Sequence, residues 1–374
     1  MENANTRPAW VEIDLAAIAH NIRETRKHIA PAKLMAVVKA NAYGHGVQEV
    51  ASLALQNGAD YLGVALLQEG ILLRERQFHC PILVFGGFFD HQIEDFLRFN
   101  LELTLYDYDR AVALANRAAD LSRPARVHIK VDTGMGRVGV AWDKAAEFVQ
   151  TVSELKSIEM AGIYTHFASS DSGDKTFAET QLRRFQAVLG QLEANDIHIP
   201  LRHLANSGAV LDLPNSYYDM VRPGVMLYGY YPSPGTSKSV ALKPAMAIKS
   251  RVIFLKQVPA GAPISYGLTF KADQNTTIAT VPIGYGDGYN RLLSNSGQVL
   301  IRGRRFPVVG RVCMDQIMVE VGNNSTVEVG DEVVLLGRQG HEEISIYELC
   351  AKLNTIPYEI TCGISQRLER RFKH

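Results

Sequence analysis

Short apolar runs alternate with amphipathic stretches about eight times over the first ~240 residues, and no other feature restricts the fold as much. The apolar runs read as strands near Leu34–Val38, Tyr61–Val64, Pro81–Phe85, Leu101–Leu105, Val127–Val131, Ile158–Thr165, Leu201–Leu204 and Tyr218–Val221. Helical patterns lie between them, as at Val47–Gln56, Arg110–Ala119, Lys144–Leu155 and Phe177–Ala194. Strand–helix alternation repeated in this way predicts a parallel (β/α)8 barrel. A doubly wound open sheet is the alternative, because closure leaves no mark on a sequence.

The turn-rich stretch Tyr231-Pro232-Ser233-Pro234-Gly235-Thr236-Ser237 marks a domain boundary. Beyond it, β-branched runs are punctuated by glycine: Ala247–Phe254, Thr277–Val281, Gln298–Ile301, Phe306–Val309, Ile317–Val321 and Glu332–Leu335. These predict a mainly antiparallel β domain, with one helix at Ser345–Leu353 opened by a serine cap. The expected division is a barrel over 1–240 and a β domain over 241–374.

Lys39 closes the apolar run Leu34-Met35-Ala36-Val37-Val38 and opens the turn Ala40-Asn41-Ala42-Tyr43-Gly44-His45-Gly46. Lysine seldom ends a core strand. An amine desolvated in such a place loses its proton more readily and becomes a nucleophile or base, the minimum equipment for a Schiff base with a carbonyl cofactor. Other reactive groups follow later strands. Arg137 lies just beyond the fifth, His166 ends the sixth, Asn206 and Ser207 follow the seventh, and Arg222 follows the eighth. In a barrel all of them face one mouth.

Composition excludes several classes. Lys+Arg and Asp+Glu are 39 each, so there is no broad charged surface for nucleic acid or anionic lipid. No apolar stretch approaches the ~20 residues of a membrane span, and the N-terminus lacks the pattern of a secretory leader. The four cysteines, Cys80, Cys313, Cys350 and Cys362, form no CxxC pair and read as reduced thiols of a cytoplasmic protein. No histidine pair stands at metal-ligand spacing, so no metal is expected.

The string Val37-Val38-Lys39-Ala40-Asn41-Ala42-Tyr43-Gly44-His45-Gly46 closely resembles the cofactor-lysine motif of bacterial alanine racemases, which are pyridoxal 5′-phosphate (PLP) enzymes. Distant segments match the same family, so the resemblance covers nearly the whole chain. It implies a homodimer in which each site joins one barrel to the partner's β domain. PLP would be carried on Lys39. Ser207, Tyr43, Tyr358 and the amides of Gly224 and Val225 would hold its phosphate, with Asn206 beside them. By its own local sequence Ser207 reads equally as a helix cap. Arg222, in Met220-Val221-Arg222-Pro223-Gly224, would donate to the pyridine nitrogen, backed by His203, with His166 stacked on the ring face. Arginine keeps its proton, so the ring nitrogen stays unprotonated and the ring is a weaker electron sink, which favours racemisation over transamination.

The resemblance further implies two bases, Lys39 and Tyr266 of Pro263-Ile264-Ser265-Tyr266-Gly267. A tyrosine of ordinary pKa ~10 is a poor base at neutral pH and needs nearby cations or donors. Tyr266 stands out among 15 tyrosines only through this match. Arg137 and the amide of Met314 would bind the substrate carboxylate, with Asp315 at the pocket and Tyr285 at its entrance. Lys130 matches a lysine often carbamylated in the family; the residues alone leave it equally an ordinary strand lysine. Cys313 reads as packing. The implied substrates are L- and D-alanine, with D-alanine serving peptidoglycan synthesis or alanine catabolism. A PLP-dependent decarboxylase of the same plan and a non-enzymatic PLP carrier are the alternatives.

Overall fold

The computed structural model describes residues 7–323 and 325–374. The leader reading at residues 1–6 lies outside them. The chain forms two compact units: Ala17–Pro244, and Ala245–His374 together with the N-terminal segment ending at Ala16.

The first unit is a nearly closed barrel of eight parallel strands. Met220–Val221, Lys33–Val37, Tyr61–Val64, Ile82–Val84, Glu102–Leu105, Ala125–Asp132, Ile158–Tyr164 and Leu201–His203 neighbour one another in that order. The seam lies between the first and last of these. There the Asp219 N–H donates to the Arg202 carbonyl at 3.1 Å and the Arg222 N–H to the Ala205 carbonyl at 2.8 Å.

Strands covered on both faces need continuous apolar runs, and Leu34, Met35, Ala36 and Val37 are all buried. Met35, Tyr61, Leu83, Leu201 and Met220 pack into one interior cluster with Phe85 against it. Each such side chain contributes about 1.5–3 kcal/mol by leaving water. The helices close the outside. In Tyr108–Asp120 the Asp107 carboxylate caps the first turn by accepting from the Arg110 N–H at 3.0 Å, while Ala111, Leu114, Ala115 and Ala118 face inward. The exceptions to apolar filling include Glu102, Thr104, His128, Lys130 and His203, all buried on barrel strands.

Among the described residues the second unit is built on two larger sheets, with Pro263–Ile264 and Phe270–Lys271 pairing as a small third. One larger sheet runs Arg304–Pro307, Gln298–Ile301, Glu332–Gln339, Met246–Arg251, Ala9–Asp14, Glu369–Lys373; the other holds Phe254–Val258, Thr276–Val281 and Ile317–Glu320. Pairing is antiparallel except between Ala9–Asp14 and Glu369–Lys373. Val258, Ile264, Ala272, Ile278 and Val309 form a core beside the second sheet. The Ser345 hydroxyl accepts from the Glu348 N–H at 3.2 Å and caps Ile346–Leu353, a contribution of about 1 kcal/mol.

One strand departs from the expected division at residue 240. Ala9–Asp14 pairs with Met246–Arg251, which places the N-terminal segment in the β unit rather than the barrel. Trp10, Val11 and Ile13 are buried there, so its apolar side chains complete the second unit's sheet. No helix among the described residues is long and apolar enough to cross a membrane.

Candidate active site

Lys39 stands where the first barrel strand ends, half-buried, and the backbone after it winds the wrong way. Ala40, Asn41, Ala42 and Tyr43 all have φ near +53°, followed by Gly44 at +83°. A left-handed turn of L-residues costs roughly 1–2 kcal/mol per residue, so surrounding contacts must hold it. They are visible. Glu69 accepts from the Ala40 N–H at 2.6 Å and from the N–H groups of Ala65 and Leu66 at 2.8 and 3.0 Å. The Asn41 side chain accepts from the Val47 N–H at 2.8 Å. His45, fully buried, donates from Nδ1 to the carbonyls of Ala42 and Tyr43 at 3.1 and 2.9 Å. His45 stacks on Tyr228 with ring centroids 4.5 Å apart, and Tyr43 leans on the same ring at 5.0 Å.

That turn delivers the Tyr43 hydroxyl to Gly224. A Cβ at Gly224 would fall 2.4 Å from this hydroxyl, so only glycine leaves the space. The Gly224 N–H in turn donates to Ser207 Oγ at 2.9 Å. Asn206 caps the helix Ser207–Asp212 by accepting from the Ala209 N–H at 3.1 Å, and accepts from Ser170 Oγ at 2.7 Å. Val225 begins the short helical turn after Gly224. The Tyr43 phenol, the Ser207 hydroxyl and the Gly224 backbone thus meet on one side of the barrel, a set suited to a phosphate.

Arg222 is buried beside them. Its Nη1 donates to His203 Nδ1 at 2.8 Å, and Nη2 donates to the carbonyls of Thr165 and Leu204 at 2.7 and 3.1 Å. His166 Nδ1 lies 3.4 Å from Nη2, and the Tyr164 ring lies 5.0 Å beneath the guanidinium. Burial pulls Arg222 down to about 10, which leaves it protonated at neutral pH. Burial, together with Arg222 and other nearby cations, holds His166 and His203 well below the usual histidine range. Both rings are therefore neutral.

Lys130 is buried with its amine 4.8 Å from the Tyr164 ring centre. Burial and the charges of Arg222 and Arg137 push its pKa well down. Both effects disfavour the charged form of this amine. Arg137 sits exposed on the following loop, which Asp132 braces by accepting from the Gly134 and Gly136 N–H groups at 2.9 and 3.1 Å. Burial alone would raise Asp132, but these amides outweigh it and hold the carboxyl below its usual range.

The β unit gathers a second group of candidates around Cys313. Tyr266, 70% exposed, rides a tight turn in which Ser265, Gly267 and Leu268 all have positive φ. Ser265 Oγ donates to the Arg311 carbonyl at 2.7 Å and lies 3.6 Å from Cys313 Sγ, which leaves Cys313 as packing. The Tyr285 and Gly286 N–H groups donate to the carbonyls of Cys313 and Met314 at 3.0 and 2.9 Å. One segment thus ties together Tyr266, Tyr285 and Met314, all exposed. Asp315 pairs with Arg367 at 2.6 Å. Buried Asp287 anchors the Tyr285 loop through Arg7, at 2.5 and 2.8 Å, and accepts from the Gly284 N–H at 3.0 Å. Tyr358, half-buried on Pro357–Cys362, belongs to this unit. No disulfide joins the four cysteines.

Two family models cover the chain: alanine racemase, N-terminal domain, over residues 13–232, and alanine racemase, C-terminal domain, over residues 245–372. The chain belongs to the alanine racemase family. An alanine racemase of Halothermothrix orenii is 46% identical over 375 aligned positions, covering 100% of this chain and 99% of that protein. The solved alanine racemase of Clostridium difficile 630 superposes with a TM-score of 0.94 at 38% identity, covering 99% of this chain and 96% of the other. A Bartonella henselae alanine racemase, solved with covalently bound pyridoxal phosphate, has a TM-score of 0.88 at 29% identity, with 98% and 99% covered. The decarboxylase and carrier alternatives find no support beside these matches.

Several residues that shape these two groups of candidates have no counterpart in the sequence analysis. Glu69 braces the lysine turn, and its only signal is a carboxylate just inside a helix start. Glu102 and His128 carry the hydrogen-bond chain outward from His203; the one hint is a carboxylate in the otherwise apolar run Leu101–Leu105. Asp287, clamped by Arg7, gives no local signal at all.

Proposed function

We propose that this alanine racemase interconverts L- and D-alanine with PLP on Lys39, using Lys39 and Tyr266 as bases on opposite faces of the substrate. The convergence of Lys39, the Tyr43–Ser207–Gly224 cradle and buried Arg222 in one barrel carries this reading. The residues fit the cofactor. The cradle offers donors to a phosphate and excludes any Cβ at Gly224. Arg222, protonated and held by three acceptors, suits a ring nitrogen that accepts without gaining a proton. When bound, PLP withdraws electrons from Cα and makes its proton exchangeable.

Lys39 holds or takes that proton on the face used by D-alanine. Tyr266 serves the face used by L-alanine, supplied by the partner of a homodimer. Neutral His166 stacks on the cofactor ring and leaves Arg222 as the cation beside it. Arg137 and the Met314 amide bind the substrate carboxylate, and carbamylated Lys130 would steady Arg137 by charge. Val225 adds an amide to the phosphate cradle, Asn206 holds Ser207 in place, and Tyr358 joins the donors to the phosphate. Asp315 lies at the substrate pocket, and Tyr285 narrows the entrance to fit a methyl side chain. The scattered cysteines, with no CxxC pair, support a cytoplasmic enzyme that supplies D-alanine for peptidoglycan or takes part in alanine breakdown.

A chiral assay of D-alanine and D-serine formation by the PLP-loaded protein tests the reaction and its selectivity. D-Alanine is the expected main product. Lys39→Ala is expected to lose both the visible absorption of bound cofactor and turnover in each direction; normal turnover by that variant would overturn the proposal.

A further inference from the structure

Barrel interiors are normally filled by apolar layers. Here Glu102, His128, His203 and Arg222 are all buried in one interior and stand in a single line of contact. Arg222 Nη1 is 2.8 Å from His203 Nδ1. His203 Nε2 is 2.8 Å from His128 Nδ1, and His128 Nε2 is 2.7 Å from Glu102 Oε2. The other Glu102 oxygen meets half-exposed Arg126 at 2.9 Å.

Chemistry gives this line one direction. A guanidinium can only donate. His203 Nδ1 must therefore accept, which puts the single ring hydrogen of this neutral histidine on Nε2. That hydrogen points at His128 Nδ1, which must accept in turn and carry its own hydrogen on Nε2. The line then ends on Glu102 Oε2 as the acceptor, the other oxygen of that carboxyl being paired with Arg126. Reversing the His203–His128 link would set the His203 Nδ1–H against an Arg222 N–H at 2.8 Å, and reversing the Glu102 link would set the His128 Nδ1–H against the His203 Nε2–H at 2.8 Å, in each case two donors with no acceptor between them. Only an acceptor at the far end makes the forward direction the stable one, because a buried N–H without a partner is costly.

We propose that Glu102 is a positioning residue for the racemase reaction: through His128 and His203 it fixes both imidazole tautomers, so that Arg222 stays held as a donor at a set place in the barrel. The proposal rests on the reading that Arg222 serves the cofactor's ring nitrogen. Glu102 touches neither substrate nor cofactor in this scheme, and it acts through the two rings.

The test is imidazole 15N NMR on the full-length protein with 15N-labelled histidine, PLP-loaded and PLP-stripped, beside steady-state kinetics and thermal melting. Wild type is expected to show protonated Nε2 and unprotonated Nδ1 on both His128 and His203. Glu102→Met removes the terminal acceptor at similar length. It is expected to mix or reverse the His203 tautomer and to lower kcat about 10–100-fold, the worth of one hydrogen bond to a charged group, with KM for alanine little changed. Glu102→Gln keeps a carbonyl acceptor and is expected to restore the His203 signature and most of kcat. A purely structural Glu102 would lower the melting temperature in both variants and leave the His203 rings as they were.

A hydrogen on His203 Nδ1 in wild type overturns the proposal, as does an unchanged His203 signature in Glu102→Met. Should the Met variant not fold, the wild-type and Gln signatures decide. The rings are read with and without cofactor. Failure to bind PLP would therefore sink the cofactor reading alone, and wrong tautomers in a PLP-loaded, active enzyme would sink the relay alone.

Discussion

Gly224→Ala is the sharpest small perturbation of the phosphate cradle. The added methyl would lie 2.4 Å from the Tyr43 hydroxyl and 3.0 Å from its Cζ. Ordinary contact requires the phenol to retreat by roughly 1 Å. It has little room to do so. Tyr43 is buried, its ring leans on Tyr228 at 5.0 Å, and its backbone is the last residue of the strained left-handed run. Overpacking of this kind costs about 1–3 kcal/mol of stability even without cofactor. Pulling one donor off a phosphate costs a further ~1.5–3 kcal/mol of binding, a rise in Kd for PLP of about 10–150-fold. The assay is titration of PLP into stripped protein, followed by cofactor absorption, with thermal melting of the stripped form as control. Tyr43→Phe removes the atom the methyl meets first. In that background Gly224→Ala is expected to cost distinctly less, since groups in contact are not additive. A Kd within about twofold of wild type, or strict additivity in the double variant, would refute the steric argument.

The pH dependence of stability reports on Lys130. Its folded-state pKa lies well below its ordinary value because of burial and the charges of Arg222 and Arg137. Between the folded and unfolded values the unfolded chain binds the extra proton, so this site's contribution to stability rises with pH through that window and is lost as pH falls. Lys130→Met, compared with wild type by denaturant unfolding in CO2-free buffer, is expected to flatten that slope and to match or exceed wild-type stability at neutral pH. An unchanged slope contradicts the burial argument. Asp287→Asn breaks the buried end of the clamp to Arg7 and Arg367, at 2.5 and 3.6 Å. With both arginines able to reach water, the expected loss is about 1–3 kcal/mol, accompanied by a raised KM for alanine as the Tyr285 and Met314 loops loosen. Unaltered melting and KM would remove Asp287 from the site's support.

Part of this site is written in local sequence. Lys39, His166, Ser207 and Arg222 were legible because each ends or follows an apolar strand, and a parallel barrel brings all such ends to one mouth. The eight strands themselves were legible because burial on two faces demands continuous apolar runs. The remainder depends on contacts that no window contains. The turn after Lys39 was legible but its hand was not: Ala40, Asn41, Ala42 and Tyr43 adopt positive φ with no glycine among them, held by the braces of Glu69 and His45. The contact of Tyr43 with Gly224 joins distant segments. Glu102 and His128 look like ordinary polar interruptions of strands until folding lines them up with His203. Ala9–Asp14 gives no sign that its partners lie at the other end of the chain. Tyr266 was legible by family likeness alone, since nothing in its own neighbourhood separates it from a packing tyrosine.

The direct measurement is exchange of the Cα hydrogen in D2O, started separately from L-alanine and from D-alanine, with wild-type protein and with Tyr266→Phe. If Lys39 and Tyr266 work opposite faces, the phenylalanine variant loses most of its exchange from the L-enantiomer while Lys39 still handles the D-enantiomer. Near-wild-type exchange from both enantiomers in that variant would contradict it.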